Sequence, residues 1–196
     1  MAILRMTPEA EATGLTAEIY DDDRRSLGYV PSYTKALSLN PEAYLAFDSL
    51  LKAISTSLGP RRYELVTLAA SQAIGSTHCL LAHGKKSLHI FSEEQLRAIA
   101  RGFHDAGLSE AEVAMMDYAV KLCTDAARMT DEDTQRLRDL GFNDREIVDI
   151  TMAAAARNFI SRSVLAMAVD LDVPTGMSEE LKISLLGSIA LAGPDT

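Results

Sequence analysis

Cysteines, basic clusters and long apolar stretches are all scarce in this chain. The only cysteines are Cys79 and Cys123. Two thiols cannot build the multi-bridge framework of a small secreted domain, so the expectation is a cytoplasmic protein with reduced thiols. No uninterrupted apolar run approaches the roughly 20 residues that a membrane helix needs. The opening Met1-Ala2-Ile3-Leu4-Arg5-Met6-Thr7-Pro8-Glu9 has neither the basic end nor the apolar stretch of a secretory leader. Lysine and arginine number 19 against 28 aspartates and glutamates, a net charge of −9. The basic residues come only in pairs, at Arg24-Arg25, Arg61-Arg62 and Lys85-Lys86. Phosphate recognition draws on clustered cations, so nucleic acid is disfavoured as a partner. Strand signals are equally thin, with no sustained alternation of Val, Ile, Thr and aromatic residues between turn residues.

What the chain has in quantity is helix punctuation. At 196 residues, 47% hydrophobic and 24% charged, it has an ordinary globular composition. A chain of this size hides roughly 70% of its extended surface and needs no staple. Asn40-Pro41-Glu42 offers a cap, a proline at the first helical position and an acid in the first turn. Gly59-Pro60 ends that helix and opens the next. Ser92-Glu93-Glu94-Gln95, Ser109-Glu110-Ala111-Glu112 and Asn143-Asp144-Arg145-Glu146 resemble capping boxes. These signals predict helices near 16–27, 41–57, 60–73, 77–90, 93–101, 110–128, 131–140, 144–170 and 179–191. In helix 41–57, Tyr44, Phe47, Leu50, Leu51 and Ile54 should form one buried stripe. Ala153-Ala154-Ala155-Ala156 should let another helix approach helix 144–170 closely.

The expected class is therefore all-α. One domain is read over 1–196, with a lead-in at 1–40, a motif-bearing core at 41–175 and a C-terminal helix at 176–196 that frays after Gly193. Glu64-Leu65-Val66-Thr67-Leu68 and Glu146-Ile147-Val148-Asp149-Ile150 match at an offset of 82 residues. That faint repeat is compatible with an internally duplicated helical unit, although two amphipathic helices often match this well by chance.

Chemistry-bearing residues concentrate between Glu64 and His83. Gly75-Ser76 breaks the helical pattern, and Ser76 is a good N-cap for the helix that follows. Cys79 then lies in a first helical turn, where free N–H groups and the positive dipole end favour thiolate over thiol. His83, four residues on, shares its face and can carry a proton. His78 lines the same mouth or is simply an exposed first-turn residue. An antiparallel hairpin turning at Gly75 would bring Glu64 back beside Cys79 and His83, completing a carboxylate–imidazole–thiol relay; without that return, Glu64 is an ordinary first-turn acid. Cys123, with no histidine nearby, reads as core. His89 and His104 read as surface groups, and no histidine pair has zinc-ligand spacing.

Glu and, twelve positions on, Cys-x-x-Cys-x-x-x-His is the core motif of AhpD-like proteins in the carboxymuconolactone decarboxylase superfamily, and Glu64, Ser76, His78, Cys79 and His83 resemble it. Gly28-Tyr29-Val30-Pro31 and helix 41–57 are similar to the lead-in of the peroxidase-related branch. Asn158-Phe159-Ile160-Ser161-Arg162 resembles its Asn-Phe-x-Asn-Arg stretch, with Asn158 and Arg162 expected to brace helices or a subunit contact. The resemblance implies an AhpD-like multi-helical fold, a homo-oligomer (trimer or hexamer), no bound metal or cofactor, and reduction of organic hydroperoxides through thiols. It also promotes Glu64 to a site residue, making Cys79, His83, Glu64 and His78 the catalytic candidates. The departure is Ser76, which stands where the motif has its first cysteine. A hydroxyl cannot form a disulfide, so an oxidised Cys79 would need an external thiol reductant. Two other readings stay open: acid–base decarboxylase-type chemistry on a small carbonyl compound by His83 and Glu64, or a non-catalytic member that binds a ligand or senses oxidants.

Overall fold

The structure, a computed structural model, describes residues 4–191, with side chains described through residue 189. Among them are ten α-helices and no strand. In chain order they are α1 (Gly14–Leu27), α2 (Ser32–Leu37), α3 (Pro41–Leu58), α4 (Pro60–Ile74), α5 (Thr77–Ser87), α6 (Glu93–Gly102), α7 (Glu110–Asp125), α8 (Asp131–Asp139), α9 (Asp144–Ala166) and α10 (Glu179–Leu191). Short 3-10 turns follow α6 and α7 and precede α1. None of the described helices is long and apolar enough to cross a membrane.

The punctuation read from the sequence sets most of these boundaries. Asn40 accepts from the Ala43 N–H, with Pro41 at the first helical position. Ser109–Glu112 and Asn143–Glu146 form reciprocal capping boxes. At Ser92 only half of the box exists, because the Gln95 side chain turns instead to the Ala106 carbonyl. Helix α2 escapes the sequence pattern, since six residues after Val30-Pro31 are too few to show a period. Two helices stop early: α5 at Ser87 and α9 at Ala166, where Ala168 takes a positive φ of 48°.

Helix α4 is the centre of the packing, with Tyr63 through Ser71 buried on every side. It lies against α5, α7 and α9, and α10 closes over α5 and α6. Its paired arginines tie it to both box-closing glutamates: Arg61 to Glu112 and Arg62 to Glu146. Each guanidinium also covers a ring, Arg61 over Phe91 and Arg62 over Phe142. Glu146, the repeat partner of Glu64, is thus occupied by a cap and an ion pair. The tetra-alanine run lets α9 come close, with Ala153, Ala154 and Ala156 buried and only Ala155 exposed. The stripe of α3 is less buried than its spacing suggests. Ile54 is interior, Tyr44, Phe47 and Leu51 are half-buried, and Leu50 is exposed, because α3 packs against α1, α4 and α9 and leaves its remaining face uncovered. The expected fraying after Gly193 falls outside the described residues.

Apolar side chains form one large cluster around α4 and two smaller ones. One small cluster surrounds Cys79; the other surrounds Ile19, Tyr20 and Val30. The cap of α9 matters because that helix supplies both packing for α4 and side chains around Cys79. Asn143→Ala should cost about 1 kcal/mol, seen in calorimetry as a Tm lowered by about 2–4 °C.

Candidate functional site

Two consecutive helices turned back on one another build the site. Gly75 ends α4 in the left-handed region at φ 76°, a conformation that a β-carbon would strain. Ser76 then enters α5 from extended backbone. The reversal brings α5 alongside α4, and Glu64 returns to His83 as the sequence allowed. His83 Nδ1 lies 2.7 Å from Glu64 Oε2, with both residues buried. Ser87 Oγ adds a longer bond to the same oxygen.

Burial holds the His83 imidazole neutral, lowering its pKa to about 4 against the pull of Glu64, with the Arg157 charge acting in the same direction as burial. Burial alone would raise the Glu64 carboxyl, but His83, Lys86 and Arg157 outweigh it and hold the carboxyl below its usual value. In the resulting pair Glu64 is ionised and accepts from the Nδ1–H of a neutral ring. The tautomer then leaves Nε2 as a free base.

The Cys79 thiol is organised from another direction. Arg157 Nη1 donates to Cys79 Sγ at 3.5 Å and Ser161 Oγ donates at 3.1 Å, both from α9. Arg157 is itself buried, and its Nη2 reaches the Tyr63 hydroxyl at 3.4 Å. Among the described residues no carboxylate lies within ion-pair distance of this guanidinium. Burial would raise the Cys79 pKa, but Arg157, Ser161 and Ser76 together bring it below the ordinary thiol value. A buried cation needs a counter-charge, and the thiolate is the group in contact.

The sequence-predicted residues therefore divide. Glu64 and His83 meet; Cys79 bonds to Arg157 and Ser161, and no hydrogen bond joins it to His83. His78 Nε2 turns to the carbonyls of Val169 and Asp170, at 3.0 and 3.2 Å, fastening the segment after α9. Ser76 sits at the N-cap position, but its hydroxyl makes no cap bond and is fully buried without a partner in hydrogen-bond geometry. It favours the thiolate instead. Cys123 is core: burial raises its thiol to about 11, and Asn158 Nδ2 donates to its sulfur. Arg162 braces the same corner through Asn158 and the Cys123 carbonyl. His89 and His104 are exposed, with His104 paired to Asp117. Among the described residues no group of three His, Cys, Asp or Glu side chains could hold a metal ion.

Arg157 went unread in the sequence, though it carried a signal. It follows four alanines, a lone cation on the face of α9 that packs inward. Cys79 belongs to an apolar cluster with Ala36, Ile160, Val164 and Val169, against which Leu4, Met6, Tyr33, Leu37 and Phe47 pack.

The sequence profile of the carboxymuconolactone decarboxylase family matches residues 41–121, from α3 into α7 and across the whole Glu64–His83 segment. A protein of unknown function from Agrobacterium tumefaciens, linked by name to AhpD antioxidant defence, is 30% identical. That match covers 68% of this chain and 92% of the other, with a TM-score of 0.60. The chain belongs to the AhpD-like proteins of the carboxymuconolactone decarboxylase superfamily. An uncharacterized peroxidase-related protein from Ralstonia eutropha with an alkylhydroperoxidase AhpD core shares the fold at TM-score 0.73 and 24% identity, over 92% of this chain and 94% of the other. A cysteine-to-alanine variant of the debrominase Bmp8, in complex with 2,3,4-tribromopyrrole, shares it at TM-score 0.74 and 17% identity, over 96% and 100%. The curated proteins include no match.

Two measurements follow from the ionisations. Alkylation of Cys79 by iodoacetamide should rise with pH through a midpoint below the ordinary thiol value, while Cys123 stays slow. In Arg157→Met the Cys79 midpoint should move up; an unmoved midpoint would remove the guanidinium as its cause. For His83, the unfolded chain takes up a proton near 6.5 and the folded chain only near 4. Its contribution to stability is thus complete above pH 6.5 and lost as pH falls towards 4. Urea melts at pH 7 and pH 5 should show a smaller acid loss in His83→Gln than in the parent.

Proposed function

We propose that this protein reduces organic hydroperoxides through a single reactive thiolate, Cys79, and is returned to its starting state by an external thiol. The observation that carries this reading is the buried Arg157 guanidinium against the Cys79 sulfur, an arrangement that favours the thiolate in a site shielded from water. The AhpD-like family supports the reaction class.

In this mechanism the Cys79 thiolate attacks the terminal oxygen of the hydroperoxide. The O–O bond breaks, the transferred oxygen stays on the sulfur as a sulfenate, and the alkoxide leaves as an alcohol after taking the hydroperoxide's proton; a proton from solvent then turns the sulfenate into sulfenic acid. His83 is the proton carrier: Glu64 fixes its Nδ1–H, and Nε2 accepts a proton from the incoming hydroperoxide and returns it to the alkoxide. Ser161 holds the sulfur by hydrogen bonding in its anionic forms, and the buried Ser76 hydroxyl beside it also favours the anion. Ser76 cannot resolve the sulfenic acid, so a thiol from outside displaces water to form a mixed disulfide. A second thiol equivalent then releases Cys79. Assembly of copies belongs to the same proposal: Val148, Met152 and Phe159 leave an apolar face of α9 exposed, with Leu50 exposed on α3.

A second reading has its own supporting observation. His83 and Glu64 are bonded to each other and not to the thiol, so they can perform acid–base chemistry on a small carbonyl compound without a redox step. One set of assays separates the two. Hydroperoxide loss with a small thiol as reductant should fall at least about 100-fold in Cys79→Ala, with dimedone trapping the sulfenic acid at Cys79 in the parent. Turnover that survives Cys79→Ala but not His83→Ala would favour the acid–base reading. Bromide release from 2,3,4-tribromopyrrole without peroxide loss would instead make an aryl halide the electrophile of the same thiolate.

A further inference from the structure

Cys79 is covered as well as held. The residue is 5% exposed and shares its apolar cluster with Ala36 of α2, Ile160 and Val164 of α9, and Val169. For an electrophile to reach so covered a sulfur, one of the segments packed on this cluster has to move. Helix α9 is fixed against α3, α4 and α7, but the chain ahead of α1 is not. Leu4 and Met6 pack against the cluster, yet none of the residues 4–12 is fully buried. Their regular structure is limited to the 3-10 turn Glu9–Glu11. The backbone bonds here, from the Met6 N–H to the Leu4 carbonyl and from the Glu11 N–H to the Pro8 carbonyl, stay within the segment.

Side chains latch this segment to the helices beneath it. Tyr20 of α1, itself fully buried, donates from its hydroxyl to the Thr7 carbonyl at 3.0 Å. Glu9 uses both carboxylate oxygens. Its Oε2 accepts from Arg24 Nε and Nη2 of α1, at 3.2 and 3.1 Å, and its Oε1 meets Lys35 Nζ of α2 at 2.7 Å. Lys35 directly precedes Ala36 and Leu37, which belong to the packing around Cys79, so the latch ties the segment to a helix of the cluster itself. All three charged side chains are partly exposed, and salt screens such pairs and leaves their hold modest. Arg24 also pairs with Asp21 of its own helix at 2.6 Å, so release of Glu9 does not strand the guanidinium.

We propose that residues 4–12 are a strap that gates Cys79. With Glu9 latched, Leu4 and Met6 close the apolar approach to the thiol; when Glu9 lets go, the strap lifts and the electrophile enters. The inference rests on Cys79 being the reacting thiol and is independent of which electrophile it attacks.

The test is the rate at which iodoacetamide, a neutral reagent, labels Cys79 in the full chain, followed by peptide mapping. Labelling of a covered thiol tracks the population of its open form. Glu9→Gln should therefore speed Cys79 labelling about three- to fivefold at an unmoved pH midpoint. Met6→Ala, which trims the strap's packing and keeps the latch, should also speed it. Raising sodium chloride from about 0.05 M to about 1 M should accelerate labelling in the parent and have little effect in Glu9→Gln. Cys123, in the main apolar cluster, monitors general loosening and should stay slow throughout. Unchanged Cys79 labelling in both variants would overturn the strap. So would a rise matched by Cys123, a rise accounted for by a shifted midpoint, or an equal rise in Glu132→Gln, which neutralises an exposed acid on α8. No peroxide enters the measurement, so a gated thiol without hydroperoxidase activity would sink the reaction and leave the strap standing.

Discussion

A buried guanidinium with no carboxylate in ion-pair contact among the described residues is the constraint around which this molecule is arranged. Arg157 is in contact with Cys79 and Tyr63. Taking such a cation out of water costs several kcal/mol unless an anion and hydrogen-bond acceptors meet it. The thiolate supplies the charge and the phenol supplies an acceptor. The contact that makes Arg157 tolerable in the interior is the same one that lowers the Cys79 pKa, so each group explains the other. The arrangement requires α4, α5 and α9 to converge, and their convergence depends on the small residues of α9 and on the arginine clamps that fix α4.

Around that contact the two halves of the site are chemically separate. Glu64 and His83 form a closed carboxylate–imidazole pair on α4 and α5, with the imidazole neutral because burial outweighs the attraction of the carboxylate. Cys79 and its partners lie between α5 and α9. A thiolate already stabilised by a cation does not need a histidine to deprotonate it. That frees His83 to act on protons belonging to the substrate, or to act without the thiol altogether. The buried hydroxyl of Ser76 fits the same logic: it favours the anionic sulfur and offers no redox partner.

Much of the fold was legible because helix ends are local. Asn40-Pro41, Gly59-Pro60 and the boxes at Ser109 and Asn143 act within four residues, and the structure honours them. Helix α2 was illegible because a helix of six residues shows no period. The exposure of Leu50 was illegible because spacing identifies a face and leaves open how much protein will cover it. In the site, the Glu64–His83 contact could be foreseen from one glycine turn. The bond from His78 to the carbonyls of Val169 and Asp170 could not, since its partners lie some ninety residues away.

The sequence by itself determined an all-helical chain, its main boundaries and the helix break at Gly75, and it allowed a hairpin that brings Glu64 back to Cys79 and His83. Each of these depends on interactions between residues close along the chain. Only the tertiary structure decided what holds the thiol. Arg157 and Ser161 stand about eighty residues after Cys79, and nothing local marks a cation on α9 as the partner of a sulfur on α5.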